Sequence, residues 1–358
     1  MHWKHSPYMK GLDIKPIHLK KGMDINSLIE NYEKSCFEAR NVASGARLFE
    51  FMINQNDTIW LGISGAVIVG GLGGYVIDLM EKGFIDAVCS TGAQVYHDLH
   101  FAFNLPVKQG SPHVDDNALR KDGTTRIFDI NIRENETLVA QDEIIRKFGR
   151  QCSLTGDFSS ADFNYELGKW VLENAPSPEH SWVAQAAKLK MPVYWDSLSN
   201  HSIGMNVAKV FADGKDIAPN PSLDVLESAA ILYGTKSNGF FEFGGGGPKN
   251  FIQQMGPTIS QILGINYEGA DRGIQITTAV ERDGGLSGCT FGEAVTWGKY
   301  KDAHTGLVQV WGEVSVIAPL ICWYVYEKCK PRPLKKLIDR KKGYLDALLS
   351  DAKKKKIN

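Results

Sequence analysis

Residues Asp283–Lys299 read DGGLSGCTFGEAVTWGK and hold a carboxylate, an indole and a primary amine within a short span. Glu293 and Trp297 stand four residues apart, so on a helix they share one face. A carboxylate beside an aromatic face holds an ammonium group. Lys299 follows two residues later, where the segment leaves the helix. A lysine screened from water by apolar neighbours loses proton affinity and becomes a nucleophile toward a carbonyl or imine carbon. The spacing points to amine chemistry at Lys299, although a surface helix ending in a solvated lysine satisfies it equally.

A second stretch, FEFGGGGPKN at Phe241–Asn250, runs an apolar strand into four glycines, with Pro248 at a first helical position. Bare backbone at Gly244, Gly245 and Gly246 can approach a pyrophosphate, and a helix N-terminus adds positive potential. No Ser or Thr follows Lys249, so this is not a Walker A loop; a tight turn is the plain alternative. The glycines at 70, 71, 73 and 74 fail the G-x-G-x-x-G pattern because Val76 occupies its last position, and they read as close helix packing. The lone H-x-x-H pair His97 and His100, with Asp98, has no further ligand group nearby and reads as a polar rim of the site; no metal is expected.

The elements that must position these residues alternate along the chain. Helices are expected at Ile25–Asn54, Val67–Lys82, Glu136–Gly149, Glu179–Leu189, Asn206–Phe211, Leu223–Thr235, Asn250–Leu263 and Val314–Tyr326. Strands are expected at Thr58–Ile63, Ile85–Cys89, Pro192–Trp195, Gly239–Phe243, Gly273–Thr277 and Leu307–Trp311, with Pro106–Thr125 loop-rich. The product is an α/β, Rossmann-like, mostly parallel sheet with helices on both faces. Residues 25–335 form one domain in this reading, behind an N-terminal arm at 1–24 and ahead of a C-terminal helix and basic tail at 336–358. Ligands of such sheets bind at the carboxyl ends of strands, here Ser64-Gly65, Thr91-Gly92, Asp196–Asn200, Gly244–Gly246 and Thr278-Ala279.

A formal charge of −1 argues against nucleic acid and membrane surfaces as partners. The longest apolar run, Val314–Tyr326, is too short to span a bilayer, and the first residues lack the apolar core of a signal peptide. Six cysteines without C-x-x-C spacing read as reduced thiols of a cytoplasmic protein.

The run E-A-V-T-W-G-K, with D-G-G-L-S-G before it, resembles the active-lysine motif of deoxyhypusine synthases. Further matches follow that family's order from about Phe37 to Glu327. Ser64-Gly65 falls at its first strand-end contacts, and Ser90-Thr91-Gly92-Ala93 is similar to its T-T-A-G turn. Gly244-Gly245-Gly246 with Lys249 matches G-G-G-x-x-K, Thr278-Ala279 with Asp283 matches T-A-x-x-x-D, and Glu313-Val314 aligns with a D-A pair. The resemblance implies an NAD site at these positions together with Asn200. It also implies Lys299 as covalent residue, with Glu293, Trp297, Ser287 and Asn250 around the substrate. That family oxidises spermidine with NAD, releases diaminopropane, carries the aminobutyl group as an imine on the motif lysine, and passes it to a lysine of a translation factor. It forms homotetramers with sites shared across dimer interfaces.

The chain departs from the family pattern at its charged positions. Asn250 replaces a histidine, Leu286 an acid, Asn200 and Met205 the two acids of T-D-G-S-L-G-D, and His97 a glutamate. Losing several anions weakens a site for a tri-cation, because buried charges need partners. The expected activity is an aminobutyl-type transfer on polyamines. Small-molecule polyamine synthesis, such as homospermidine formation, and an NAD-binding relative with altered catalysis are the alternatives.

Overall fold

A computed structural model describes residues 8–282 and 284–355. Nine strands follow in chain order: β1 (Thr58–Ile63), β2 (Ala87–Ser90), β3 (Val107–Gln109), β4 (Thr124–Ile127), β5 (Ile130–Arg133), β6 (Val193–Trp195), β7 (Asn238–Phe243), β8 (Arg272–Thr277) and β9 (Leu307–Trp311). Six of them form one parallel sheet in the order β6-β2-β1-β7-β8-β9. The chain builds outward from β1 to β6, then crosses back to start β7 on the other side of β1. That reversal opens a crevice at the carboxyl ends of β1 and β7, where Ser64 and Gly244 stand.

Period-two alternation divides the core between the two faces of the sheet. Ile59, Leu61, Ile63, Phe241, Phe243, Ile274 and Ile276 pack with Phe49 and Ile321 on one face. Trp60 and Phe240 pack with Ile252, Met255 and Tyr300 on the other. Both faces of β1 and β7 are fully buried, which is why apolar residues dominate both strands. No helix among the described residues is long and apolar enough to cross a membrane.

Several local expectations change. The first helix is two, Ile25–Glu33 and Phe37–Asn54, parted by extended Cys36 and by Phe37 at φ 58°. The loop-rich expectation for Pro106–Thr125 gives way to a three-stranded antiparallel sheet, β3-β5-β4, to which it contributes β3 and the start of β4. The helix Ser160–Asn174 was not expected, yet Ser159 and Asp162 form its capping box, and Phe163, Leu167 and Val171 bury one face at four-residue spacing. The glycines at 70–74 break their helix rather than pack it. Gly71, at φ 99°, kinks the π-turn Ile68–Leu72 from within, just ahead of the helix Gly73–Glu81. The helix expected at Asn206–Phe211 starts a turn earlier, as Ser202–Ala212, capped by the His201 ring.

Candidate active site

The glycine loop after β7 is closed on itself. Gly245 N donates to Ser64 Oγ at 2.8 Å, and Gly246 N donates to Ser287 Oγ at 2.9 Å. A Cβ at Gly245 would lie 2.5 Å from Ser287 Cα, so glycine is what lets the loop and the 286–288 turn meet. Two amides expected to face a ligand are thus taken by hydroxyls. Open space remains beside Gly65 (φ 76°) and Gly246 (φ 58°), where an added Cβ would meet nothing within 4 Å, although the Gly246 amide is already engaged.

Lys299 is reached through the short helix Phe291–Thr296, capped by Thr290 and stopped by Gly298 at φ 70°. Its side chain turns inward and is 6% exposed, with Nζ donating to Asn250 Oδ1 at 3.0 Å. Burial pushes its proton affinity below that of an ordinary lysine. The Cys289 thiol opposes that shift, and Lys249 reinforces it. A cavity of about 240 Å³ opens over the amine, lined by Asn250, Gln254, Glu281, Gly284, Gly285, Leu286, Cys289, Glu293, Trp297 and Lys299. Glu293 and Trp297 therefore line the same cavity as the amine. Ser287 lies outside that lining and braces the glycine loop.

Beneath the cavity a polar row crosses the sheet. Strand register sets Gly62, Glu242, Gln275 and Gln309 side by side on β1, β7, β8 and β9. Gln275 spends all its bonding capacity here. Its amide nitrogen donates to Gly244 O and Ser287 O, and its oxygen accepts from Lys249 and Gln309. Lys249 is 2% exposed and donates to Gln275 Oε1 at 3.0 Å and Cys289 O at 2.7 Å, so it points into the sheet and not toward a phosphate site. Glu242 is 1% exposed. Its Oε1 accepts from Gln253 and Tyr300, while Oε2 is buried without a hydrogen-bond partner among the described residues. Burial raises its pKa to about 7. Glu242 and Gln275 were visible in sequence as polar residues interrupting two apolar strands; their adjacency was not.

The remaining strand ends are spread along the crevice. The His201 ring occupies the space where a Cβ on Gly92 would stand, beside half-buried Thr91 and Ala93. Asn200 and Thr278 are exposed. Ala279 O accepts from Trp311 Nε1 at 3.1 Å, and both residues line a cavity of about 450 Å³ with Glu38, Asn41, Val280, Glu281, Arg282 and Gln309. Glu281 borders this cavity and that of Lys299. Glu313 caps the helix Val314–Lys328, and Val314 is buried in the core. Asp283 lies outside the described residues. His97 and His100 meet at 3.0 Å, and Asp98 caps the helix Trp182–Lys188 through Trp182 N and Val183 N. Their rim reading is therefore replaced by a buried helix contact. Among the described residues no group of three or more His, Cys, Asp or Glu is placed to hold a metal.

Residues 27–325 match the family model described as deoxyhypusine synthase. The chain belongs to the deoxyhypusine synthase family. It is 35% identical over 350 residues to a "Deoxyhypusine synthase-like protein" of Nostoc punctiforme, covering 95% of this chain and 90% of that protein. It is 33% identical over 311 residues to a "Probable deoxyhypusine synthase 2" of Methanosarcina acetivorans, covering 86% and 88%. A crystal structure of a putative deoxyhypusine synthase from Entamoeba histolytica superposes with a TM-score of 0.57 at 15% identity, over 89% of this chain and 99% of that one, and shares the fold. Against the family pattern, Leu286 is 47% exposed and apolar on the cavity wall, and Met205 is exposed on the helix after His201.

Proposed function

We propose that this chain is an NAD-dependent transferase that moves an aminobutyl-type group between amines through an imine on Lys299. The observation that carries the reading is the Lys299 amine, almost buried, bonded to a neutral amide oxygen and opening into a cavity with one indole and two carboxylates. An amide oxygen holds the nitrogen in place without accepting its proton, and the dry surroundings favour the uncharged, nucleophilic form.

Bound NAD would supply oxidation of the donor amine at the carbon bearing nitrogen and reduction of the final product. The left-handed glycines Gly65, after β1, and Gly246, which opens the helix after β7, leave space free of side chains beside Ser64, and this supports a dinucleotide there. Thr278, Ala279 and Glu313 would extend that contact along β8 and β9. Lys299 then attacks the imine carbon, the carbon–nitrogen bond to the departing amine breaks, and the proton given up by Lys299 leaves with that amine. An acceptor amine reverses the exchange. Trp297 and Glu293 would hold the cationic chain during both steps.

The partners in this reading are a polyamine or related amine, an acceptor amine that is either a small molecule or a lysine of a translation factor, and further copies of the chain in a homotetramer. Neutral Leu286, Met205 and Asn200 favour a less charged donor or a small acceptor such as putrescine over the family's usual pair. Borohydride trapping with NAD and candidate amines, followed by mass spectrometry, tests the proposal. An amine adduct on Lys299 supports it, and the released product separates protein from small-molecule acceptors. Absence of any adduct with every amine, in protein that binds NAD, would leave a non-catalytic family member.

A further inference from the structure

Three ionisable groups are buried around the foot of the cavity: Glu242, Lys249 and Lys299, at 1%, 2% and 6% exposure. The two amines come from different elements and meet around Asn250 and Cys289. Lys299 bonds Asn250, and Lys249 is the residue before it on the helix Gly246–Pro257. Lys249 Nζ has only neutral oxygens as hydrogen-bond acceptors among the described residues, and one of them belongs to Cys289, which also lines the Lys299 cavity. Its other acceptor, Gln275, stands beside Glu242 in the strand register. Two ammonium groups in one water-poor space repel strongly, and a carboxylate there attracts either.

We propose that Lys249 and Glu242 are positioning residues acting in opposition on Lys299, Lys249 driving its proton off and Glu242 retaining it. Together they would set the pH at which Lys299 becomes a nucleophile. The inference rests on the reading of Lys299 as the covalent residue. The groups facing Lys299 are Lys249 from the helix Gly246–Pro257, Glu242 from β7, Glu293 from the helix Phe291–Thr296 and the Cys289 thiol from the turn before it, with Glu281 on the wall of the same cavity. The competing view makes Lys249 a strut tying Gln275 to the 286–289 turn. A strut leaves the titration of Lys299 unmoved.

The test needs neither cofactor nor amine substrate. The full chain is labelled with limiting acetic anhydride across a pH series, and the Lys299 peptide is quantified by mass spectrometry. Lys249→Met should raise the midpoint of Lys299 labelling by about one pH unit, a tenfold loss of labelling below the midpoint. Glu242→Gln should lower it, and Lys249→Arg, which keeps the charge, should leave it near the parent value. A parental midpoint in folded Lys249→Met or Glu242→Gln overturns the proposal. So does an equal shift in Lys249→Arg and Lys249→Met. If Lys249→Met does not fold, Glu242→Gln decides alone. Midpoints that move as expected in a protein forming no amine adduct would keep this inference and remove the transferase reading.

Discussion

Lys299 Nζ is held by Asn250 Oδ1 at 3.0 Å, an amine anchored by a group that cannot take its proton. A carboxylate at that distance would favour the ammonium form; an amide fixes the direction of the nitrogen and leaves its charge to the surroundings. Those surroundings are dry, so the amine is directed and partly discharged at once.

Lys299→Arg should fold and bind NAD yet form no reducible amine adduct, because a guanidinium does not deprotonate. Lys301→Ala should keep most activity. Lys301 is exposed, and its Nζ pairs with Asp271 at 2.8 Å, away from the cavity. Peptide mapping after borohydride reduction checks both. Trapping on any other lysine would overturn the assignment.

Glu242→Gln should change how stability depends on pH. The folded-state pKa of Glu242 lies near 7, above its ordinary value of 4.5. The folded form therefore holds its proton more tightly, and that stabilisation is lost as pH rises from the lower value through 7. The glutamine variant has no proton to lose. Relative to the parent it should gain on the order of 2 kcal/mol between pH 5 and pH 8. Parallel thermal melts at the two pH values measure it; an equal offset at both would show that Glu242 is not titrating.

Leu286→Asp should shift donor preference toward spermidine. Leu286 sits on the cavity wall, half exposed, at a position where the family pattern has an acid. One charge-assisted bond contributes about 1.5 kcal/mol, roughly tenfold in affinity. Competition between spermidine and putrescine, read as product ratio, is the measurement. An unchanged ratio would show that position 286 does not meet the distal amine.

Gly65→Ala should abolish NAD binding with little loss of fold. At φ 76° alanine costs about 1–2 kcal/mol, and its methyl would meet no protein atom within 4 Å, only the crevice. Gly245 cannot serve this test, since a side chain there strikes the Ser287 backbone and disturbs the loop itself. Calorimetry on folded Gly65→Ala decides; parental affinity would take the nucleotide away from this strand end.

Light scattering at micromolar concentration should find a homo-oligomer, and removal of residues 1–22 should weaken it. Leu12, Ile14 and Leu19 of the arm are largely exposed in the single chain, an arrangement that apolar side chains leave by covering one another's surface. A monomer at that concentration would exclude a site shared between copies.

Much of this architecture was legible in the sequence because it follows from short-range regularities. Apolar runs of strand length alternating with helical periodicity imply a parallel sheet. In such a sheet the residues after each strand must line one edge, which placed Ser64, Gly244–Gly246 and Thr278 together. Glu293 and Trp297 were readable because one helical turn sets their spacing, and Lys299 because it follows two residues later where the helix ends. The small sheet β3-β5-β4 was not, since its strands are mostly half-buried or exposed and lack the apolar runs that mark the equally short but fully buried β2 and β6. What only tertiary structure decided was partnership across long separations. Glu242, Gln275 and Gln309 are neighbours through strand register, and nothing local in sequence encodes which residue lies opposite which. Lys249 follows a glycine loop in sequence and would be taken for a phosphate ligand. The helix Gly246–Pro257 instead turns it onto Gln275, because a buried amine goes where acceptors are already fixed. The state of Lys299 belongs to that second class: its identity as an amine is written in the chain, but its burial, its neutral anchor and the opposing charges of Lys249 and Glu242 exist only once the sheet has assembled.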